Sequence, residues 1–148
     1  MSDETEINLS SGISAFEAKH FALAIKILSP LAENNSADAQ YRMAIMYQNG
    51  LGIVANELLA FKNMKGAAEQ GLALAQHGLA FMYMEGECVG QDTERAIQWF
   101  TKAAEQGLVG SQATLAMLYE EGRGCDIDLD KAKAWYRQAG FHQKADEL

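Results

Sequence analysis

Apolar residues return every three to four positions along most of this chain, and the whole pattern then repeats at an interval of 36 residues. Gln40, Gln76 and Gln112 share one phase, as do Tyr47, Tyr83 and Tyr119, Gly50, Gly86 and Gly122, Ala60, Ala96 and Ala132, and Ala67, Ala103 and Ala139. A helical spacing nested inside a period of this size marks a solenoid, in which each unit buries its apolar stripe by stacking on its neighbours.

The middle tile, Ala73 to Gly107, shows how one unit is built. Ala75, Leu79 and Tyr83, with Gln76 and Ala80, form a narrow small-residue face on a first helix. Gly86 follows, suited to the left-handed conformation that stops a helix, and the stretch through Gly90 leads on. Asp92 or Thr93 is the expected N-cap of a second helix, with Glu94 at its positive end. Ala96, Ile97, Trp99, Phe100, Ala103 and Ala104 then supply its apolar face, Trp99 as a wedge towards neighbouring hairpins, and Gly107 ends the helix as Gly71 does one tile earlier.

The same plan predicts repeats at about 36–71, 72–107 and 108–143. The aromatic position reads Asn63, Trp99 and Trp135, so its burial should vary between tiles. Gln143 stands where the terminal glycine is expected, and the remaining KADEL is too short for another hairpin. Upstream, Ala24, Leu31 and Ala32 lie one period before Ala60, Ala67 and Ala68, which predicts a leading hairpin over 7–35. Its first helix is expected from Ile7 to Lys19, with Leu9, Ile13 and Phe16 on one face, and its second from Phe21 to Glu33. Pro30 should bend or interrupt that second helix, because proline lacks an amide donor and crowds the preceding turn. The expected fold is therefore all-α, a solenoid of about four antiparallel helix pairs forming a single domain over 1–148.

Twelve Lys and Arg against twenty Asp and Glu give a formal charge of −8, which argues against nucleic acid or an anionic membrane as a partner. Charged or small polar residues interrupt every apolar face before it reaches the roughly 20 residues a bilayer span needs. The opening segment carries acids where an export signal carries a basic and then an apolar stretch, which points to the cytoplasm. Cys88 and Cys125 fit neither a disulfide framework nor a paired-thiol motif, and free thiols are expected.

Nothing in the spacing points to catalysis. His20, His77 and His142 share neither ligand nor triad spacing, and a partner contact or hydrogen bond is the expected role of His77. Asp126, Asp128 and Asp130 start like a calcium loop, but Lys131 and Arg137 occupy the positions where that loop needs glycine and its closing glutamate. A solvated turn and helix cap explains them better. No catalytic residue, cofactor or metal is expected, and the chain is read as no enzyme.

The tiles AxYRMAIMYQNGLG…ELLAFKNMKGAAEQG, AQHGLAFMYMEGECVGQDTERAIQWFTKAAEQG and ATLAMLYEEGRGCDIDLDKAKAWYRQAG resemble the Sel-like repeat family of the tetratricopeptide superfamily, strongly over about 36–142 and more weakly over the leading hairpin. The resemblance implies a right-handed superhelix whose first helices line the inner surface, and service as an adaptor or as a subunit of an assembly. Bacterial members include host-interaction and toxin-neutralising proteins. The disulfide per helix pair of some secreted relatives has no counterpart in this sequence.

If Met43, Ala44, Tyr47 and their equivalents serve packing, helical phase turns a second set inward: Tyr41, His77 and Ala113; Ile45, Phe81 and Met117; Gln48, Met84 and Glu120; Asn49, Glu85 and Glu121. Leu9, Ile13, Phe16 and Glu17 of the leading hairpin would join them. Ile45, Phe81, Met84 and Met117 form an apolar strip, with Glu85, Glu120 and Glu121 as an acidic border, suited to a basic amphipathic segment of a protein or peptide partner. The competing reading is that these side chains fill a tight core. A noncatalytic adaptor or regulator is the leading expectation. The alternatives are an inhibitor or immunity protein capping a basic toxin or enzyme, and a homo-oligomeric structural component joined through Phe141.

Overall fold

Residues 3–148 are described in a computed structural model, and among them every regular element is a helix. In chain order these are α1 (Asp3–Glu17), α2 (Phe21–Glu33), α3 (Ala37–Asn49), α4 (Glu57–Glu69), α5 (Ala73–Glu85), α6 (Thr93–Glu105), α7 (Val109–Glu121), α8 (Leu129–Gln138) and α9 (His142–Asp146). The expected fold class holds: an all-α repeat solenoid of antiparallel helix pairs, α1 with α2, α3 with α4, α5 with α6 and α7 with α8. The chain divides into two compact units, one ending at Ala75 and the other beginning at Gln76, and each is described by itself.

Each full hairpin is closed by the same device. The backbone N–H of Asn56 donates to the carbonyl of Tyr47 at 2.9 Å, that of Asp92 to Tyr83 at 2.8 Å, and that of Asp128 to Tyr119 at 2.9 Å. The side chains of these three residues in turn accept from the N–H groups of Leu59, Arg95 and Lys131, each at 3.0 Å, capping α4, α6 and α8. Each cap is worth about 1 kcal/mol, because a helix start otherwise leaves donors without partners. The sequence offered Asp92 or Thr93 for this role and a helix cap within the Asp126, Asp128 and Asp130 turn; the structure selects Asp92 and Asp128 and adds Asn56.

In the first unit, Ala15, Ala24, Leu28, Ala32, Ala39, Met43 and Met46 form the core, and Leu9, Phe16 and Tyr47 pack against it. A Cβ on Gly12 of α1 would collide with Leu28 of α2, so the glycine sets how closely those helices approach. The leading helix stops at Glu17 rather than Lys19: Lys19 takes a left-handed φ of 62°, and the N–H of His20 donates back to Ala15. Pro30 does not interrupt α2, which runs on to Glu33; it lies in the last turn, where its carbonyl accepts from the N–H of Asn34 at 3.1 Å.

The sequence put Trp99 and Phe100 together on the apolar face of the second helix, and the structure buries one of the two. Met64, Phe100 and Tyr136 are buried, whereas Asn63, Trp99 and Trp135 beside them are only half-buried. One residue is a turn of about 100° around the helix, enough to move a side chain from the core to its edge. Trp99 thus packs at the rim, with Lys102 Nζ 4.5 Å from its ring centroid. The third tile also ends early. α8 stops at Gln138, Gly140 takes a φ of 89°, and the short helix α9 follows, burying Ala145. Gln143, expected at the turn, lies within α9.

The repeated glutamines tie first helices to the helix before them, to the end of their own partner helix, or to both. Gln40 Nε2 donates to the Ala32 carbonyl at 3.3 Å and to Asn35 Oδ1 at 3.1 Å, while its Oε1 accepts from Gln70 Nε2 at 2.9 Å. Gln76 Oε1 accepts likewise from Gln106 Nε2 at 2.8 Å. Gln112 keeps the donor half, giving Nε2 to the Ala104 carbonyl at 3.1 Å, but its buried Oε1 has no partner. The shortened α8 explains the loss, since position 142 belongs to α9 and carries histidine instead of glutamine.

Candidate functional site

The residues singled out from helical phase lie on the first helices of the pairs, α3, α5 and α7. In the first unit Tyr41, Ile45 and Gln48 of α3 are half-buried. The Arg42 guanidinium stands 5.6 Å from the Tyr41 ring centroid. Burial pushes the Tyr41 phenol above its ordinary pKa, with Arg42 opposing the shift.

In the second unit Phe81 of α5 and Met117 of α7 occupy the same repeat position, and each is 39% exposed. Glu85 and Glu121 are exposed four residues further along the same two helices. Phe81 is not a loose side chain. Its ring meets His77 at 4.9 Å and the fully buried Phe100 at 5.0 Å, both edge to face, a geometry that aromatic quadrupoles favour. His77 is itself held from behind, with Nδ1 2.6 Å from Oγ of the buried Ser111. Burial keeps the His77 imidazole below its usual pKa and therefore neutral near pH 7.

Two expected surface residues need correction. Met84 is only 2% exposed, so its side chain belongs to the core and offers a partner nothing. It neighbours the buried Tyr83 on the edge of the apolar stripe, and a flexible thioether readily turns inwards from there. Glu120 is engaged within the fold, accepting from Tyr136 Oη at 2.7 Å and pairing with Lys144 Nζ at 3.4 Å. The Tyr136 hydrogen bond holds the Glu120 carboxyl below its ordinary pKa, burial opposes this, and Lys144 adds to it. Burial first, then Glu120, push the Tyr136 phenol up to about 12. Of the leading hairpin, Leu9 and Phe16 are likewise drawn into packing, and Glu17 remains exposed.

Sequence reasoning missed Ser111. Its signal was available, since the equivalent positions Ala39 and Ala75 are alanine and only this tile places a hydroxyl there. A buried serine facing histidine makes a fixed hydrogen-bonded pair rather than an accessible nucleophile. Burial raises the pKa of the Cys125 thiol, with Asp126 adding to the shift, so it stays protonated and poorly nucleophilic. Among the described residues no group of three or more His, Cys, Asp or Glu is placed to hold a metal ion, and no helix is long and apolar enough to cross a membrane.

The profile of the family described as Sel1 repeat matches residues 37–72, 73–108 and 110–140. Among solved structures, a Sel1 repeat protein from Oxalobacter formigenes is 31% identical, with a TM-score of 0.86 over 93% of this chain and 56% of that one. A protective antigen of uropathogenic Escherichia coli strains, displaying an SLR fold, is 28% identical, with a TM-score of 0.86 over 92% of this chain and 30% of that one. Cysteine rich protein B of Helicobacter pylori shares the fold at 18% identity, with a TM-score of 0.63 over 84% of this chain and 90% of that one. The curated proteins offer no match. The chain thus spans about half the length of the first of these structures and under a third of the second.

Proposed function

We propose that this chain, which belongs to the Sel1 repeat family, is a noncatalytic adaptor or regulator that grips a partner protein on the α5–α7 face of its second unit. One observation carries the reading: two large apolar side chains, Phe81 and Met117, stay 39% exposed at equivalent positions one repeat apart. Side chains that serve packing alone would be expected to be covered, as Met82 and Leu118 beside them are. The ring cluster behind Phe81 adds pre-organisation. An aromatic anchor whose position is fixed before binding loses little rotamer freedom on association, which favours a hot-spot contact.

Glu85 and Glu121 give the strip an acidic edge, so the partner segment that fits best is amphipathic, apolar on one side and basic on the other. The test begins with affinity capture from the source cells, followed by calorimetry with each captured protein. Replacing Phe81 and Met117 together by serine should weaken the main interaction by about tenfold or more, the usual loss when hot-spot side chains are truncated. Circular dichroism should show the helix content retained. Unchanged affinity in a folded double variant would reject this face.

A further inference from the structure

We infer that the α5–α7 face is gated by a proton on His77, so that its basic amphipathic partner is held near neutral pH and released in mild acid. The inference rests on the docking face proposed above and adds its regulation. Comparison of the tiles points to the residue. His77 stands where the other tiles carry Tyr41 and Ala113, and Ser111 stands where they carry Ala39 and Ala75. Stacking needs neither, since the other tiles form their hairpins without them. Both departures nonetheless meet at one place, with Nδ1 of His77 2.6 Å from Oγ of Ser111, behind the exposed Phe81.

This arrangement makes proton uptake and docking compete. A neutral ring can accept the Ser111 hydroxyl at Nδ1; a protonated ring has donors on both nitrogens, so the buried hydroxyl must turn and accept instead. His77 is half-buried, and a partner seated on Phe81, whose ring centroid is 4.9 Å away, would strip the remaining water from it. Desolvation disfavours the imidazolium, and the partner's own basic groups disfavour it further. Binding therefore expels the proton, and by linkage the proton weakens binding. The groups that face the ring are uncharged: Phe81 on its own helix, Phe100 of α6, and Gly110 and Ser111 of α7. Burial is the one cause of its lowered pKa, so no carboxylate holds the proton on. Glu85 and Glu121 stand one turn beyond Phe81 and Met117, and His20 and His142 lie on neither helix of the face.

The test uses the full chain and the partner protein purified from the capture, titrated by calorimetry at about pH 7.5 and about pH 5. The dissociation constant of the parent should rise with acid, by at most about tenfold per pH unit for one competing proton. His77→Tyr combined with Ser111→Ala installs the pair of residue types that the first tile carries at these positions, and His77→Gln keeps Ser111. The rise in the parent should exceed that in either variant by about twofold or more. Glu85 and Glu121 are untouched in both, so their titration does not account for the difference. In the isotope-labelled free chain, with no partner present, the ring resonances of Phe81 should move with the titration of His77. Equal pH dependence in the parent and both variants, or Phe81 resonances that ignore the His77 titration, would overturn the gate alone. A partner whose affinity at about pH 7.5 is indifferent to Phe81→Ser combined with Met117→Ser would overturn the docking face and the gate together.

Discussion

At the scale of single residues, His77 joins the packing to the proposed docking face, since it touches Ser111 and Phe100 on one side and Phe81 on the other. Its depressed pKa has a consequence for stability. The unfolded chain takes up this proton at the ordinary value near 6.5, while the fold takes it up only at lower pH. Between those two values the unfolded state binds more protons, so stability falls as pH drops below 6.5 and levels off beneath the folded-state value. We expect Tm to fall between about pH 7.5 and about pH 5.5, and to fall less in His77→Gln. An equal fall in that variant would show that the dependence lies elsewhere. Glu120 acts in a separate window, because its lowered carboxyl pKa contributes stability that is lost only as pH drops below 4.5. The partial exposure of Phe81 and Met117 agrees with the face that helical phase gave them, whereas the burial of Met84 was not legible from the repeat. Helical phase places a residue on a face, but a long side chain at the edge of that face can turn either way.

Single elements follow the same logic of local chemistry. The helix starts and the glycine turns were readable because their causes are local: a capping oxygen three residues before an N–H, or a backbone that must reach positive φ. Gly122 is the sharpest case. Its φ is 70°, and a Cβ there would lie 2.7 Å from Ile127 Cγ1. Gly122→Val should therefore cost about 1–3 kcal/mol, a fall in Tm of about 2–4 °C per kcal/mol. Gly90 is the control, since nothing lies within 4 Å of an added Cβ and its φ is not in the left-handed range. Gly90→Ala should leave Tm nearly unchanged, and equal losses at both sites would refute the turn argument. The choice of Phe100 over Trp99 as the buried residue was not readable in this way. Neighbouring aromatics both satisfy a helical period, and only the packing of one helix on another decides which faces inwards. The early end of α8 had the same origin: Gly140 competes with the tile's usual stopping point three residues later.

For the whole molecule, the period separates two kinds of position. Residues shared by the tiles, such as the tyrosine carbonyls, the capping oxygens and the glutamine amides, close and brace the hairpins. Residues that vary between tiles are where surfaces differ: Phe81 and Met117 on first helices, Asn63 against Trp99 on second helices. That division was visible in the sequence alone, while the degree of exposure that turns a variable position into a docking surface required the packed structure. A formal charge of −8 suits a basic partner and predicts association that slows as salt rises. The most direct test of the α5–α7 face is site-specific photo-crosslinking to the captured partner, with benzoylphenylalanine replacing Phe81, Met117 or, as a control, the exposed Gln98 of α6. Crosslinks from positions 81 and 117 but not from 98 are predicted. Crosslinking from 98 alone would contradict the assignment of the partner to this face.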